Sequence, residues 1–357
     1  MSSKQNKTEY KIEQTNGMHS VERINKIFEK NNNKKNENHL IWQYAKPQEG
    51  SITSISVDKN GNDAAVYSVF KVKAKINSTM GFAYQSLDTL TDQNHRGKGL
   101  FGKLANDVYD RCTLDNNNIV YGFPNTSSGP VFFSRLGWQE LGYPPFVIYI
   151  NNILFPLAYL IKKNIFIENK LLKLFLKNSL KKLCKKSKFL INSDANFDTN
   201  YDELWEFFSL KIKTTVWRDS QYMNWRYKEK PNNKYQYISL YQDNKLIGKS
   251  IYTIEKKHNG TIGYIMDIIC NPDHKLASEI LLKKTTLEII NQQADIILAW
   301  IPYNHFLFES YKKSKFIKLP RKLQPIKLFF GYKTKENSNI RIEKTDFFIS
   351  YSDSDTV

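Results

Sequence analysis

The stretch SLDTLTDQNHRGKGLFGKLANDVYD, residues 86–110, decides the fold of this 357-residue chain. Its first part alternates apolar and polar residues as a strand does, and the apolar residues after Gly99 recur at helical spacing. The turn Arg96-Gly97-Lys98-Gly99 joins these two parts. A second stretch, NIVYGFPNTSSGPVFFSRLGWQELG at residues 118–142, predicts another strand and a short helix that ends near Trp138.

The glycine turn predicts an anion site. A turn that opens a helix leaves several backbone N–H groups unpaired at the positive end of the helix dipole. A diphosphate fits such a site, and glycines at positions 97 and 99 let it approach the backbone. The residues expected to contact the phosphates are His95, Arg96, Gly97, Lys98, Gly99 and Leu100.

Two commoner phosphate motifs overlap the same residues. Gly97, Gly99 and Gly102 satisfy the GxGxxG pattern, but no acidic residue ends the following strand to hold a ribose. Gly97, Gly102 and Lys103 satisfy most of a Walker loop, in which Leu104 replaces the Ser or Thr that would bind magnesium. Neither motif is complete.

The segment HRGKGLFGKLA resembles the coenzyme A loop of the GNAT acyltransferases. FPNTSSGPVFFSRLGW is similar to that family's next strand, its asparagine and its helix ending in glycine and an aromatic residue. The resemblance covers about residues 41–143 and implies a mixed α/β sheet with helices on both faces. It also implies acetyl-CoA as acyl donor, used in direct acyl transfer to an amine.

Two positions depart from the pattern of the GNAT family. Asn94 stands where the loop usually begins with Gln or Arg, which removes a side-chain contact but no backbone amide. Phe133 stands where many members have the tyrosine that returns a proton to the leaving thiolate. Coenzyme binding is therefore expected, whereas a tyrosine acid at that place is absent.

The resemblance also implies a general base on the strand before the loop. Asp88 is the first choice, because the attacking amine must lose a proton to a nearby group. Its alternative role is a structural ion pair, since Asp267 occupies the corresponding place in the second half of the chain. Asp92 and Glu140 are the reserve candidates.

Hydrogen-bond donors to the coenzyme are expected at two further places. A backbone N–H near Leu90 and Thr91 would stabilise the thioester oxygen as it gains charge. Asn125 would bind the pantetheine arm as the matching family asparagine does, or cap the following helix, or both. Trp42 and Tyr44 could line the acceptor site, although core packing is the stronger interpretation.

The second half of the chain repeats the first in outline. Trp225 and Tyr227 echo Trp42 and Tyr44, and the residues from Met266 to Ser278 align on those from Leu87 to Gly99. In this copy Leu276 and Ser278 replace the two glycines of the loop, so we expect the coenzyme only in the first copy. Tyr311 stands where the first copy has Phe133, and a contribution from it stays open.

The sequence therefore predicts two tandem GNAT-like domains, each a mixed α/β sheet flanked by helices and joined by a basic helical connector. The expected segments are a flexible N-terminus at 1–19, an acyl-CoA-binding domain at 20–150, the connector at 151–195 and a second domain with a degenerate loop at 196–357.

Charge is concentrated in the connector. The chain carries a formal net charge of +18, and residues 151–191 contain ten lysines and one acid, Glu168. The apolar residues there recur at helical spacing, which is typical of basic amphipathic helices. Such a segment either attaches to an anionic membrane surface or acidic substrate, or packs as a plain connector with solvated lysines.

Composition narrows the other possibilities. The N-terminus has no apolar signal segment, and the longest apolar run is too short to cross a bilayer. A cytoplasmic protein is therefore expected, with peripheral contact at the inner membrane surface as an option. Three distant cysteines and six histidines form no metal-ligand pattern, so we expect no metal. No RNA-stacking motif is present in the core domains, so nucleic acid is not an expected partner.

The sequence thus predicts an N-acyltransferase that moves an acetyl group from acetyl-CoA to a primary amine. The resemblance suggests a nucleotide-linked amino sugar for surface polysaccharide as one acceptor. A peptidoglycan-bridge-type aminoacyltransferase also pairs two such domains, but it needs no intact coenzyme loop. A non-catalytic membrane-surface protein on the same scaffold is the other alternative.

Overall fold

The computed structural model contains two compact units. The first comprises the chain up to Gly142 together with Glu229–Pro231 and Leu328–Ile342, and the remainder forms the second. The structure describes residues 10–112, 117–155, 165–257 and 260–355.

The first unit is built on a mixed sheet. Its strands are β1 (Lys11–Thr15), β2 (Ser51–Val57), β3 (Asp63–Ile76), β4 (Thr79–Thr91), β5 (Asn118–Gly122), β6 (Gln139–Gly142) and β15 (Phe330–Lys333). The strand order is β1-β2-β3-β4-β5-β15-β6. Along this order β4 and β5 are parallel, and the other neighbours are antiparallel.

Helices pack on both faces of this sheet. They are α1 (Gly17–Lys30), α2 (Glu37–Leu40), a π-helix (Ile41–Ala45), α3 (Leu100–Arg111) and α4 (Gly129–Arg135). One core cluster gathers the apolar residues of α1, α2 and the π-helix, and the other gathers those of α3 and α4. In α1, Val21, Ile24, Ile27 and Phe28 are buried at the spacing that predicts a helix.

The second unit has the same kind of sheet. Its strands are β7 (Phe146–Ile150), β8 (Leu190–Asn192), β10 (Gln236–Gln242), β11 (Lys245–Lys257), β12 (Gly260–Cys270), β13 (Ile296–Trp300) and β14 (Ile317–Lys318). The two-residue strand β9 (Thr215–Val216) is not part of this sheet. The order is β14-β7-β13-β12-β11-β10-β8, with β12 and β13 parallel.

The second unit resembles the first in its helices as well. They are α5 (Lys170–Lys186), α6 (Thr199–Ser209), α7 (Ser220–Met223), a π-helix (Asn224–Lys228), α8 (Ala277–Asn291) and α9 (Leu307–Lys313). Short 3₁₀ turns lie at Gln93–His95, Arg321–Leu323 and Tyr351–Asp353. Each unit thus has a four-residue helix that runs into a π-helix, at Trp42 in one and Trp225 in the other. The prediction of two mixed sheets flanked by helices is confirmed.

Three segments differ from the bounds expected from sequence. Lys11–Thr15, expected in a flexible N-terminus, pairs with β2 as strand β1. Strand β7, expected in the first domain, pairs with β13 and β14 of the second unit, and β15 pairs with β5 and β6 of the first. A strand pattern shows that a segment is extended and half-buried, but its partner depends on the tertiary fold.

The C-terminal segment packs inside the second unit, where β12 and β13 separate. These strands pair only as far as Ile265 and Ala299, and β12 continues to Cys270. The ring of Tyr351 stacks on Trp300 with centroids 4.6 Å apart, and Ser352 Oγ donates to Asp267 Oδ2 at 2.8 Å. The segment around Tyr351 and Ser352 therefore covers the opening between these strands.

A fully buried ion cluster holds this segment. Arg218 lies between Asp267, with Nε to Oδ2 at 3.1 Å, and Asp353, with Nη2 to Oδ2 at 2.6 Å. All three side chains have no solvent exposure. Since a buried charge is stable only when it is paired, the carboxylates of Asp267 and Asp353 depend on the Arg218 guanidinium.

We expect Arg218→Met to lower the free energy of unfolding by about 3 to 5 kcal/mol, because two buried carboxylates lose their partner. Urea denaturation measures this. Lys213→Met is the matched control: its pair with Asp346, 3.0 Å long and largely exposed, should contribute less than about 1 kcal/mol. Equal effects of both variants would contradict the assigned role of the buried cluster.

Candidate active site

An opening between β4 and β5 forms the site. The two strands pair over four residues, from Phe82 with Asn118 to Gln85 with Tyr121. Strand β4 continues to Thr91, where it still pairs with β3 on its other edge. From Ser86 onward, the edge of β4 that faces β5 is therefore open to a ligand.

A groove of about 690 Å³ lies at this opening. Its walls are the open part of β4, the end of β5 and the start of α4, and Ser86, Gly122 and Trp138 lie where the strands separate. A Cβ at Gly122 would lie 3.3 Å from the Ser86 Cβ and 3.4 Å from the Trp138 ring. Glycine therefore leaves both side chains room at this end, which we call the floor.

The glycine turn lies at the other end of the open strand. Gly97 and Gly99 have φ values of +77° and +70°, in the left-handed region that favours glycine. Gly99 is the N-cap of α3. Within the described residues, no protein acceptor meets the amides of Gly97, Gly99, Leu100 and Phe101. The structure thus leaves unpaired, at a helix N-terminus, the amides from which the sequence predicts an anion site.

Tyr10 forms hydrogen bonds with two side chains at the glycine turn. Lys98 Nζ donates to Tyr10 Oη at 2.8 Å, and Tyr10 Oη lies 2.9 Å from His95 Nδ1. Sequence reasoning missed this tyrosine because it treated residues 1–19 as flexible. The guanidinium of Arg96 is exposed at the groove, and its Nε lies 3.4 Å from the Thr91 carbonyl oxygen.

The amides of Leu90 and Thr91 point in opposite directions. Asp92 N donates to Ala64 O of the neighbouring strand β3 at 2.9 Å, and successive amides of an extended strand point to opposite edges. The Leu90 amide therefore faces β3, whereas the Thr91 amide faces the groove. Of the two, only Thr91 offers a backbone donor to a ligand there.

Asn125 holds the turn before α4 and keeps a donor for a ligand. Its Oδ1 accepts from the amides of Ser127 and Ser128, each at 2.9 Å. Within the described residues its Nδ2 has no acceptor, and Asn125 lines the groove. The N-cap of α4 is Ser128, so the expected helix cap at Asn125 is wrong, whereas a contact with the pantetheine arm stays a prediction.

Asp88 is paired within the first unit. It forms an ion pair with Lys35 and accepts a hydrogen bond from Tyr44 Oη at 2.9 Å. Its side chain is 12 % exposed and lies on the side of the helices that precede β2, away from the groove lining. Trp42 and Tyr44 are buried in the core on that side.

The other residues considered for proton transfer are placed differently. Asp92 is buried; burial raises the pKa of this carboxyl, but Lys30 and the Asn94 amide hold it below its usual value. Glu140 is exposed on β6. Phe133 packs against Phe329, with ring centroids 5.6 Å apart, and Tyr311 is buried in the second unit.

Two kinds of feature are absent from the described residues. No three His, Cys, Asp or Glu side chains in that part of the chain converge so that they could hold a metal ion. No helix there combines the length and the apolar content needed to cross a bilayer.

Comparison with known proteins agrees with this geometry. The sequence pattern of the acetyltransferase (GNAT) domain matches residues 18–141. This part of the chain is a GNAT domain. The match includes the open part of β4, the glycine turn and α4, which together form the groove. No curated protein matches the chain.

Solved structures share the fold over most of the chain. A probable N-acyltransferase of unknown function from Enterococcus faecalis V583 covers 92% of this chain and 72% of its own, at 8% identity and TM-score 0.60. A GCN5-related N-acetyltransferase from Anabaena variabilis covers 90% and 72%, at 10% identity and TM-score 0.62.

A third similar structure contains an acyl-CoA. Saccharomyces cerevisiae N-myristoyltransferase with bound myristoyl-CoA covers 93% of this chain and 84% of its own, at 10% identity and TM-score 0.57. At such identities the likeness shows the fold alone. The chain therefore shares the fold of these structures over most of its length, and its GNAT domain lies in the first unit.

Proposed function

We propose that the GNAT domain binds acetyl-CoA and transfers its acetyl group to a primary amine. The observation that supports this most directly is the groove, which runs along an unpaired strand edge from the free amides after Gly97 to the floor at Ser86. Five residues of extended strand separate Thr91 from Ser86, about 17 Å. That distance suits a pantetheine arm between a diphosphate and a thioester.

The coenzyme would lie against β4 as an extra strand. Its diphosphate would accept hydrogen bonds from the amides of Gly97, Gly99 and Leu100, with Arg96 nearby as a counter-charge. The amide of Thr91 and Nδ2 of Asn125 would donate to the pantetheine arm. A ligand that pairs with a free strand edge gains affinity from main-chain hydrogen bonds.

The second unit lacks the features needed for the same ligand. Leu276 is the N-cap of α8, where the first unit has Gly99 as the cap of α3. The segment from Ser350 to Asp355 also covers the opening between β12 and β13. We therefore assign coenzyme binding to the first unit. An intact glycine turn favours acetyl-CoA over aminoacyl-tRNA as donor.

Transfer requires a neutral amine and a path for its proton. The amine nitrogen bonds to the carbonyl carbon, the C–S bond breaks, and the coenzyme leaves as a thiolate that takes up a proton. We propose that the amine approaches β4 from the side of Lys35 and Tyr44, opposite the groove lining, so that Asp88, oriented by Tyr44, accepts its proton after the pair with Lys35 opens. The net positive charge of the chain suits an anionic acceptor, such as a nucleotide-linked amino sugar.

Saturating acetyl-CoA should stabilise the protein, by about 2.7 kcal/mol at 100 times Kd, and raise the thermal midpoint. Gly97→Trp should abolish this response, because the indole would occupy the anion site. Gly61→Trp is the matched control, since Gly61 also has a positive φ of +81° and open space at its Cβ. A Gly97→Trp protein that still responds, or a control that does not, would overturn the placement of the diphosphate.

Acceptors can be found by following free thiol while purified protein and acetyl-CoA are screened against amino sugars, polyamines and peptides. With the best acceptor, Asp88→Asn should lower kcat about 100-fold and leave the Kd for acetyl-CoA unchanged. The amide keeps an oxygen that can accept from Tyr44 but cannot take a proton. Normal turnover in this variant would remove Asp88 from the mechanism.

We also propose that α5 attaches the protein to an anionic membrane surface. One face of this helix packs on α8 through the buried Leu176. The outer face exposes Leu171 and Leu174, at 81% and 55%, beside Phe166 and Ile167, which precede the helix and are also exposed. A plain connector would present a polar outer face.

The charges of α5 favour the same surface. Within Lys170–Lys186 there are seven lysines and no acid, and Lys177, Lys181 and Lys185 follow one another at four-residue spacing on the exposed side. Like charges at this spacing repel one another, and anionic headgroups would relieve the repulsion. Exposed leucines beside lysines suit an acyl-chain boundary rather than the phosphates of a nucleic acid. The segment 156–164, also part of the expected connector, lies outside the described residues.

The protein should co-sediment with vesicles containing anionic phosphatidylglycerol and not with pure phosphatidylcholine. Leu171→Ala with Leu174→Ala should weaken binding about tenfold, because two apolar anchors are lost. Leu210→Ala with Leu323→Ala, at positions 72% and 68% exposed, is the control. Equal binding of all forms would refute this surface. So would a loss of affinity for a single-stranded oligonucleotide that matches the loss for vesicles.

A further inference from the structure

A chain of four hydrogen-bonding side chains passes through the core of the first unit and ends at Ser86 on the groove floor. Trp138 Nε1 lies 2.9 Å from Tyr109 Oη, Tyr109 Oη lies 3.1 Å from Tyr67 Oη, and Tyr67 Oη lies 2.8 Å from Ser86 Oγ. Trp138, Tyr109 and Tyr67 are buried. Ser86 lines the groove where β4 and β5 separate.

The direction of these hydrogen bonds follows from the indole. Trp138 Nε1 can only donate, so Tyr109 Oη accepts from it and must place its own proton elsewhere. The one partner within reach among the described residues is Tyr67, which in turn donates to Ser86. If the bonds ran in the reverse direction, the Tyr109 hydroxyl proton would have no acceptor in the core. A buried donor without an acceptor lowers the stability of the fold.

The Ser86 hydroxyl proton is then directed into the groove. Its oxygen is occupied by Tyr67, and no acceptor within the described residues takes its hydrogen. Burial raises the pKa of both Tyr67 and Tyr109, so both phenols keep their protons at neutral pH. Each bond in such a chain polarises the next, which makes the last donor a stronger one than an isolated serine.

We propose that the Ser86 hydroxyl is a catalytic hydrogen-bond donor to the carbonyl oxygen of the bound thioester. The inference rests on the proposed function, because it needs the acyl end of acetyl-CoA at the floor. When the amine attacks, the carbonyl π electrons move onto this oxygen, and they return as the C–S bond breaks. A donor aimed at that oxygen before the reaction stabilises the charge without reorganisation.

This assignment moves the expected oxygen-stabilising group along β4. The sequence places it near Leu90 and Thr91, but a diphosphate at Gly97 leaves those residues beside the pantetheine arm. Ser86 precedes Thr91 on β4 and lies about 17 Å farther from the glycine turn. Phe133 has no hydroxyl group that could donate to the thioester. Ser86 has one, and its hydrogen bond with Tyr67 orients it at the groove floor.

Infrared difference spectroscopy with acetyl-CoA carrying ¹³C at the thioester carbonyl tests this without a known acceptor. A hydrogen bond from Ser86 lowers the carbonyl stretching frequency of the bound coenzyme. Ser86→Ala should return the band to the frequency of a free thioester, and Ser86→Thr should retain the lowered one. Tyr67→Phe leaves the serine but removes its partner, and it should give an intermediate frequency.

Kinetics with an identified acceptor give a second readout. Ser86→Ala should lower kcat about 100-fold, as expected for loss of one preorganised donor, with the Kd for acetyl-CoA unchanged. Ser134→Ala is the control, because this exposed serine of α4 bonds only to the Pro130 carbonyl within the described residues. It should behave as the unaltered protein does.

The outcomes separate the two proposals. If acetyl-CoA binds and its carbonyl band is the same in the unaltered protein and in Ser86→Ala, the role of Ser86 is refuted and the proposed function stands. If the unaltered protein does not bind acetyl-CoA, both fail. If Ser86→Ala loses binding together with the infrared shift, the serine is structural, and the proposal is likewise overturned.

Discussion

The early separation of β4 from β5 is the constraint on which the site depends. Pairing stops at Gln85 and Tyr121, yet β3 keeps β4 extended as far as Thr91. An unpaired strand edge inside a domain is costly unless its polar groups find partners. Here the opening ends at free backbone amides on one side and at the Ser86 hydroxyl on the other. A long polar ligand could therefore form hydrogen bonds with the unpaired backbone groups of β4 along its length.

In the second unit, a later segment of the same chain covers the corresponding opening. Its strands β12 and β13 also separate early, but Tyr351 stacks on Trp300 and Ser352 bonds to Asp267 at the opening. Arg218 neutralises the carboxylates that this arrangement buries. The two units therefore represent two ways to complete one architecture. An external ligand fits the first, and the C-terminal segment completes the second.

Charge acts at two separate places in the chain. At the glycine turn the attraction for anions comes from backbone amides, while Lys98 and His95 are held by Tyr10. In α5 it comes from lysines that have no acid on the same helix. The first can recognise a single diphosphate by geometry, whereas the second can act only on an extended anionic surface. The proposed cofactor site and the proposed membrane surface therefore rest on two different sources of positive charge.

The sequence alone determined the order of the elements around the glycine turn and the left-handed backbone of its two glycines, because both follow from local rules. Alternation and helical spacing around Gly97 and Gly99 specify a strand, a turn and a helix, and glycine is needed wherever φ is positive. The repeat of Trp42 and Tyr44 at Trp225 and Tyr227 likewise showed a second copy of the fold.

Only the tertiary structure decided which strand pairs with which, and which side chains meet. The residues of β15 lie far along the chain from β5, and a strand pattern carries no information about its partner. Asp88 with Lys35, Tyr10 with Lys98, and Ser86 with Tyr67 are pairs separated by 53, 88 and 19 residues. No local spacing rule reaches such distances, because these contacts exist only after the sheet and its helices have packed.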